Sequence, residues 1–140
     1  LKNIPAYQSA SNELNQVSKQ WQNEVEKLGK EAKSLYDSYQ ASVKTLSDAQ
    51  KTKKEEEIVA KEKSAAELRR KYFGPEGELF KKREALMQPI QDEIYEAVKA
   101  ISTQKGYAVV VDRASASSII FASPNIDISN EVLAKLGYSN

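Results

Sequence analysis

Between Ala6 and Phe73 the chain contains one glycine, Gly29, and no proline, and its apolar residues recur every seven positions. Leu14, Trp21, Leu28 and Leu35 form one such series; Val25, Ala32, Tyr39 and Leu46 form another. Seven-residue spacing keeps a stripe on one side of an α-helix turn after turn, and a sustained stripe of this kind is a coiled-coil seam. At ~1.5 Å per residue, a helix from Ala6 to Leu46 would be about 60 Å long. A small domain cannot bury a rod of that length, so it must lie along another helix. The expected fold is therefore mainly α: a long helical-hairpin arm attached to something small.

The rest of the chain supplies the second helix. The apolar pattern lapses from Ser47 to Lys54, where Thr52 and Glu55 stand at capping-box spacing and three glutamates, Glu55 to Glu57, load the turn that follows. This reads as the hairpin tip. An uninterrupted helix through it is the alternative, since neither glycine nor proline enforces a turn there. The returning helix carries Ile58, Ala65, Tyr72, Leu79 and Leu86 at intervals of seven, in one phase across Gly74-Pro75-Glu76-Gly77. That constancy predicts a kink or short interruption that keeps the helix on course rather than a domain boundary. Pro89 is a second interruption. After it Ile90, Ile94, Ala97 and Ile101 resume the stripe, which Lys105-Gly106 closes.

Beyond Gly106 the pattern changes. Tyr107 to Asp112 and Ser118 to Ala122 are short continuous apolar runs, read as two strands of an antiparallel hairpin. Two strands alone are marginal in water, so more are needed, from an N-terminal segment, from other copies, or both. Asp127 or Ser129 then caps a last short helix carrying Val132, Leu133 and Leu136. The expected organisation is one domain over 1–140. Its arm runs over about 21–83 with a tip near 47–54, and a small β-rich body spans about 1–20 and 84–140.

Composition narrows the chemistry. With no cysteine and no histidine, the chain lacks thiolate nucleophiles, the common metal ligands and the commonest general acid and base. No phosphate-binding glycine loop, zinc signature or nucleophile elbow is present. We expect no enzyme, no cofactor and no metal. Asp112 has no acid–base partner in the pattern and reads as a turn residue. Net charge is +1, and nine cations against six anions between Lys44 and Lys71 give only a mild basic surplus towards the tip. That excludes nucleic acid as a natural partner and leaves a weak attraction to acidic clients or anionic lipid. Lys81-Lys82-Arg83 is a compact cluster that could meet phosphate groups, although Glu76, Glu78 and Glu84 surround it. Tyr36 lies beside the seam, not in it, and an aromatic on an arm makes an adaptable contact.

A long hairpin returning into Ala97-Val98-Lys99-Ala100-Ile101 and Gly106-Tyr-Ala-Val-Val-Val-Asp112 resembles the Skp family of OmpH-like periplasmic chaperones. So does the ending, Ile119-Ile-Phe-Ala122, Asp127-Ile-Ser129 and Glu131-Val-Leu133-Ala-Lys-Leu136-Gly137. The resemblance covers nearly the whole chain and is most specific from Gln91 to Gly137. It implies a jellyfish-like homotrimer, in which a small β-rich oligomerisation body joins three copies and three arms enclose a cavity. The implied function is ATP-independent holding of unfolded outer-membrane β-barrel proteins in the periplasm. In this frame Trp21, Tyr36, Tyr39, Lys51, Lys53 and Lys54 are the candidate client contacts. Val109, Val111, Ile119, Ile120 and Phe121 are the expected body and oligomer interface. The resemblance further implies that Lys81, Lys82 and Arg83 contact lipopolysaccharide or another anionic lipid. Two departures stand out: the chain starts where the family's first strand should already have ended, and its net charge is low for arms that are often strongly basic. The rival expectation is a coiled-coil spacer or scaffold of the cell envelope that holds no client.

Overall fold

The computed structural model describes residues 1–138, in which four α-helices carry the regular structure. Helix α1 spans Pro5–Ser42, α2 Asp48–Phe73, α3 Glu78–Lys105 and α4 Ser129–Lys135. At 1.5 Å per residue, the 38 residues of α1 extend about 57 Å. Proline stands first in α1, where a missing N–H removes no helical bond. A single 3₁₀ turn, Val43–Thr45, ends the outward run, and Ser47 starts the return. Its hydroxyl accepts from Gln50 N–H while the Gln50 side chain accepts from Ser47 N–H, a complete capping box. The break thus falls at Leu46-Ser47. Residues 48–54 are already helical, and Thr52 bonds back to the Asp48 carbonyl rather than capping with Glu55. An uninterrupted helix through the tip is excluded.

Two compact units emerge. Residues 12–83 form the first, and residues 1–11 with 84–138 the second. In the first, α1 buries Leu14, Val25 and Ala32 and half-buries Trp21, Leu28 and Leu35, as the heptads predict. The returning chain answers with less. Ile58 is buried, Ala65 and Leu68 are half-buried, and Lys61 takes a seam position at the same spacing. In the second unit, Ile4, Ala10 and Ile90 form a buried cluster, covered by Tyr7, Leu86, Met87, Ile94, Leu133, Leu136 and Tyr138. Helix α4 is therefore docked by its apolar face.

The two interruptions of the returning chain differ in kind. Gly74–Gly77 is a true break, since α2 ends at Phe73 and α3 begins at Glu78. Pro89 sits inside α3, which continues through it at the cost of one backbone bond to the Ala85 carbonyl. Helix α3 closes as Lys105-Gly106 predicts. Gly106 takes a φ of +74°, which other residues resist, and Tyr107 N–H donates back to the Ser102 carbonyl at 2.9 Å.

The single chain does not form the expected strands. Among the described residues there is no β-strand; 107–112 and 118–122 run as irregular backbone with turns at Asp112–Ala116 and Ala116–Ile119. Asp112 organises the first turn, accepting from Ala114 N–H through its side chain and from Ser115 and Ala116 N–H through its carbonyl. The physical reason lies in the residues. Runs such as Val109-Val110-Val111 and Ile119-Ile120-Phe121 are apolar on both faces of any strand they could form. A single chain offers neither a second ladder partner nor cover for two faces.

Two outcomes test this packing. Ile90→Ala should lower stability by about 2–4 kcal/mol in urea denaturation, because Ile90 closes the cluster with Ile4 and Ala10. Ser47→Ala should cost about 1 kcal/mol through loss of the cap.

Candidate functional site

Arm chemistry begins with the pairing of α1 against the returning chain. Glu13 meets Lys82 Nζ at 2.7 Å, Glu24 accepts from Tyr72 O–H at 2.6 Å, Glu31 meets Lys61 Nζ at 2.7 Å, and Tyr39 O–H donates to Glu55 at 2.5 Å. These four polar tethers run beside the apolar seam and set the antiparallel register. Sequence reading missed them because their partners lie far apart in the chain and only the hairpin brings them together.

Among the candidate client contacts, Trp21 is half-buried and stacks on Tyr72, the ring centroids 4.6 Å apart and the planes 4° from parallel. Tyr39 is half-buried and committed to Glu55. Tyr36 remains the accessible aromatic of the three, 49% exposed. Lys53 and Lys54 are exposed on the first turns of α2, with Lys51 half-buried below them; Lys54 approaches Glu57 at 4.0 Å. Val59 of α2, which the sequence reading did not single out, is also exposed. A shallow groove on this unit is lined by Lys27, Lys30, Glu31, Leu35 and Lys61 among others. Its mixed charge and open form fit no particular small molecule.

The basic trio is partly neutralised, in part by a sequence neighbour and in part by α1. Lys82 pairs with Glu13 and Lys81 lies 3.9 Å from Glu78, while Arg83 makes no ion pair among the described residues. In the other unit, the expected interface residues are open to solvent. Val109 is 76% exposed, Phe121 79% and Ile120 98%; Val111 is also exposed and Ile119 half-buried. Tyr95 and Ile126, in the same unit, add exposed apolar surface that the sequence reading did not single out. Among the described residues no group of three potential ligands could hold a metal ion, and no helix is long and apolar enough to cross a membrane.

Electrostatics follow the tethers. The Lys61 ammonium, donating to Glu31, holds that carboxyl below its ordinary range. Glu24 and Glu55, accepting from Tyr72 and Tyr39, push those phenols upward. At the foot of α4, Asp127 accepts from both the hydroxyl and the N–H of Ser129, which lowers its pKa. Across the same unit, Glu131 raises Lys105 by accepting from it at 2.5 Å.

A helical hairpin stitched by polar tethers, together with a second unit bearing an exposed apolar segment, defines a coiled-coil protein. A family model described as "Outer membrane protein (OmpH-like)" matches residues 1–136. The chain belongs to this Skp/OmpH-like family. At the level of the family, that ties it to the cell envelope and to chaperoning of outer membrane proteins. No curated protein matches the chain significantly.

The tethers give a pH prediction. A carboxyl lowered by folding stabilises fully above its unfolded pKa, ~4.3 for glutamate, and loses that contribution as pH falls through the folded value. Phenols raised by folding stabilise below ~10 and lose their contribution as pH rises past it. Urea midpoints of the wild type should therefore fall on both flanks. Lys61→Met should flatten the acid flank, and Tyr39→Phe with Tyr72→Phe the alkaline one.

Proposed function

We propose that this chain is an ATP-independent holding chaperone of the periplasm. Three copies would enclose unfolded outer-membrane β-barrel proteins between their arms and prevent aggregation. The reading is of a binding protein, not an enzyme. Family membership supports it, and the observation that carries it is the apolar segment through Val109, Val111, Ile120 and Phe121, which one chain leaves open. Contiguous apolar residues at such exposure mark an association surface. Strands from other copies would supply the ladder partners and cover that a lone chain lacks. This segment is thus the proposed body and trimer interface, with Ile119 among its residues.

Client contact would fall on the arm. Tyr36 offers the accessible ring, and Lys51, Lys53 and Lys54 offer mobile charge, while Trp21 and Tyr39 serve first in holding the hairpin. Weak contacts of this sort, repeated on three arms, restrain a chain through multivalency without imposing one conformation. With a net charge of only +1, apolar contacts would carry a larger share than electrostatic ones. An anionic lipid such as lipopolysaccharide would meet Arg83 first, since Lys81 and Lys82 already face carboxylates.

The deciding experiment dilutes an unfolded β-barrel membrane protein from urea with and without the chain, and reads aggregation and mass by light scattering. Trimeric mass with suppression at about one trimer per client is the expected result. Trimeric mass without suppression would instead favour the envelope spacer. Phe121→Asp should shift the mass to monomer and abolish suppression, because a buried unpaired carboxylate is costly at an apolar interface.

A further inference from the structure

We propose that residues 72–77 form a latched joint in the returning half of the arm, with the Tyr72 side chain as latch and Trp21 and Glu24 as its seat. This device goes beyond the holding function and does not rest on it, since every residue involved lies in the unit 12–83.

Register is the first observation. From Glu13 to Tyr39 is a step of 26 residues along α1; from Lys82 to Glu55, their tethered partners, is a step of 27 along the returning chain. Yet the returning path crosses a four-residue break, Gly74–Gly77, between α2 and α3. The break therefore advances the chain along α1 by nearly what a helix would, and the seam resumes at Leu79 in phase. Such a splice demands close backbone packing. Gly77 is buried, and a Cβ on it would stand 2.8 Å from both the Lys71 and Tyr72 carbonyl oxygens; on Gly74 it would stand 2.4 Å from the Arg70 oxygen. Neither glycine has a positive φ, so what requires glycine here is space and not backbone conformation.

What holds the splice shut is the second observation. Backbone bonds run from Gly74 N–H to the Arg70 carbonyl and from Gly77 N–H to the Gly74 carbonyl, each 2.9 Å. Pro75 between them has no N–H to give. A helix of equal length would make more bonds and resist bending along its whole extent. Directly before the break, Tyr72 is fastened twice: its ring lies parallel on Trp21, and its hydroxyl donates to Glu24 at 2.6 Å. Phe73 packs edge-on to the same ring and the Lys71 ammonium sits 5.9 Å from its centroid. A doubled side-chain hold is thus placed beside the stretch of the returning chain that makes the fewest backbone bonds. With the latch seated, α2 and the start of α3 act as one spliced helix. Released, residues 74–77 have no comparable side chain of their own to fix them, and the joint opens locally while the Lys61–Glu31 and Tyr39–Glu55 tethers still hold the outer part of α2.

Hydrogen exchange of the full chain tests this, with emission from Trp21, the single tryptophan, as a second readout. Tyr72→Phe keeps the ring and removes the hydroxyl; Glu24→Ala removes its acceptor. Each should speed exchange at Gly77 and Lys81 N–H about tenfold, the worth of one hydrogen bond to a charged group. Exchange at Ile58 should stay unchanged, as should helix content by circular dichroism. Tyr72→Ala should speed exchange further and shift Trp21 emission to the red. Unchanged exchange at Gly77 and Lys81 in all three variants would overturn the latch. Equal acceleration at Ile58 and Leu68 would overturn it too, because Tyr72 would then be one more seam residue with no special hold on the joint.

Discussion

How completely the returning chain covers the apolar stripe of α1 governs the arm. A helix of this length cannot shelter its own stripe, and helices gain most of their stability from such burial rather than from intrinsic propensity. Here the cover is thin. Helix α1 offers leucine, valine and tryptophan at successive seam positions, whereas α2 returns isoleucine, alanine, leucine and a lysine. Among the described residues no large side chain is fully buried. The arm therefore relies on polar tethers beside the seam to fix alignment, as polar residues do in coiled coils generally. Their individual energies are modest because most of the groups are half-exposed. Their effect is on specificity: a slipped hairpin would leave Glu24, Glu31 and Glu55 facing the wrong partners.

Much of this was legible in the sequence because helical patterning is local. The seven-residue series located both arms, and the unbroken phase across Gly74–Gly77 announced that the second arm resumes its course after the break. The Lys105-Gly106 close and the turn role of Asp112 were legible for the same reason. The cap at the tip was misplaced by five residues, since Thr52 and Glu55 mimic the spacing that Ser47 and Gln50 in fact use. Acidic residues after Thr52 made the false box look stronger than the true one.

Two features were out of reach for different physical reasons. Tethers such as Glu24 with Tyr72 join residues 48 positions apart, and nothing in a local window couples them; only the exact register does. The apolar runs after Gly106 were read as strands from their short, continuous apolar pattern, but such a pattern marks fitness for a covered sheet and not an ability to form one alone. Whether Val109 to Val111 becomes a strand depends on what lies beside it, which the order of residues in one chain does not specify. For the candidate site, Tyr36 could be found because it falls off the seam. Trp21 could be found only as a large aromatic, and its commitment to Tyr72 depends on the hairpin alignment.

Ile120 and Phe121 lie open on a chain whose proposed task is to shield other proteins' apolar strands. A newly released copy carries the same hazard as the molecules it would protect: adjacent β-prone, uncharged residues that pair with whatever edge they meet first. If copies do assemble through this segment, its exposure would end only when they meet, and abundance as well as affinity would set how long each copy stays open.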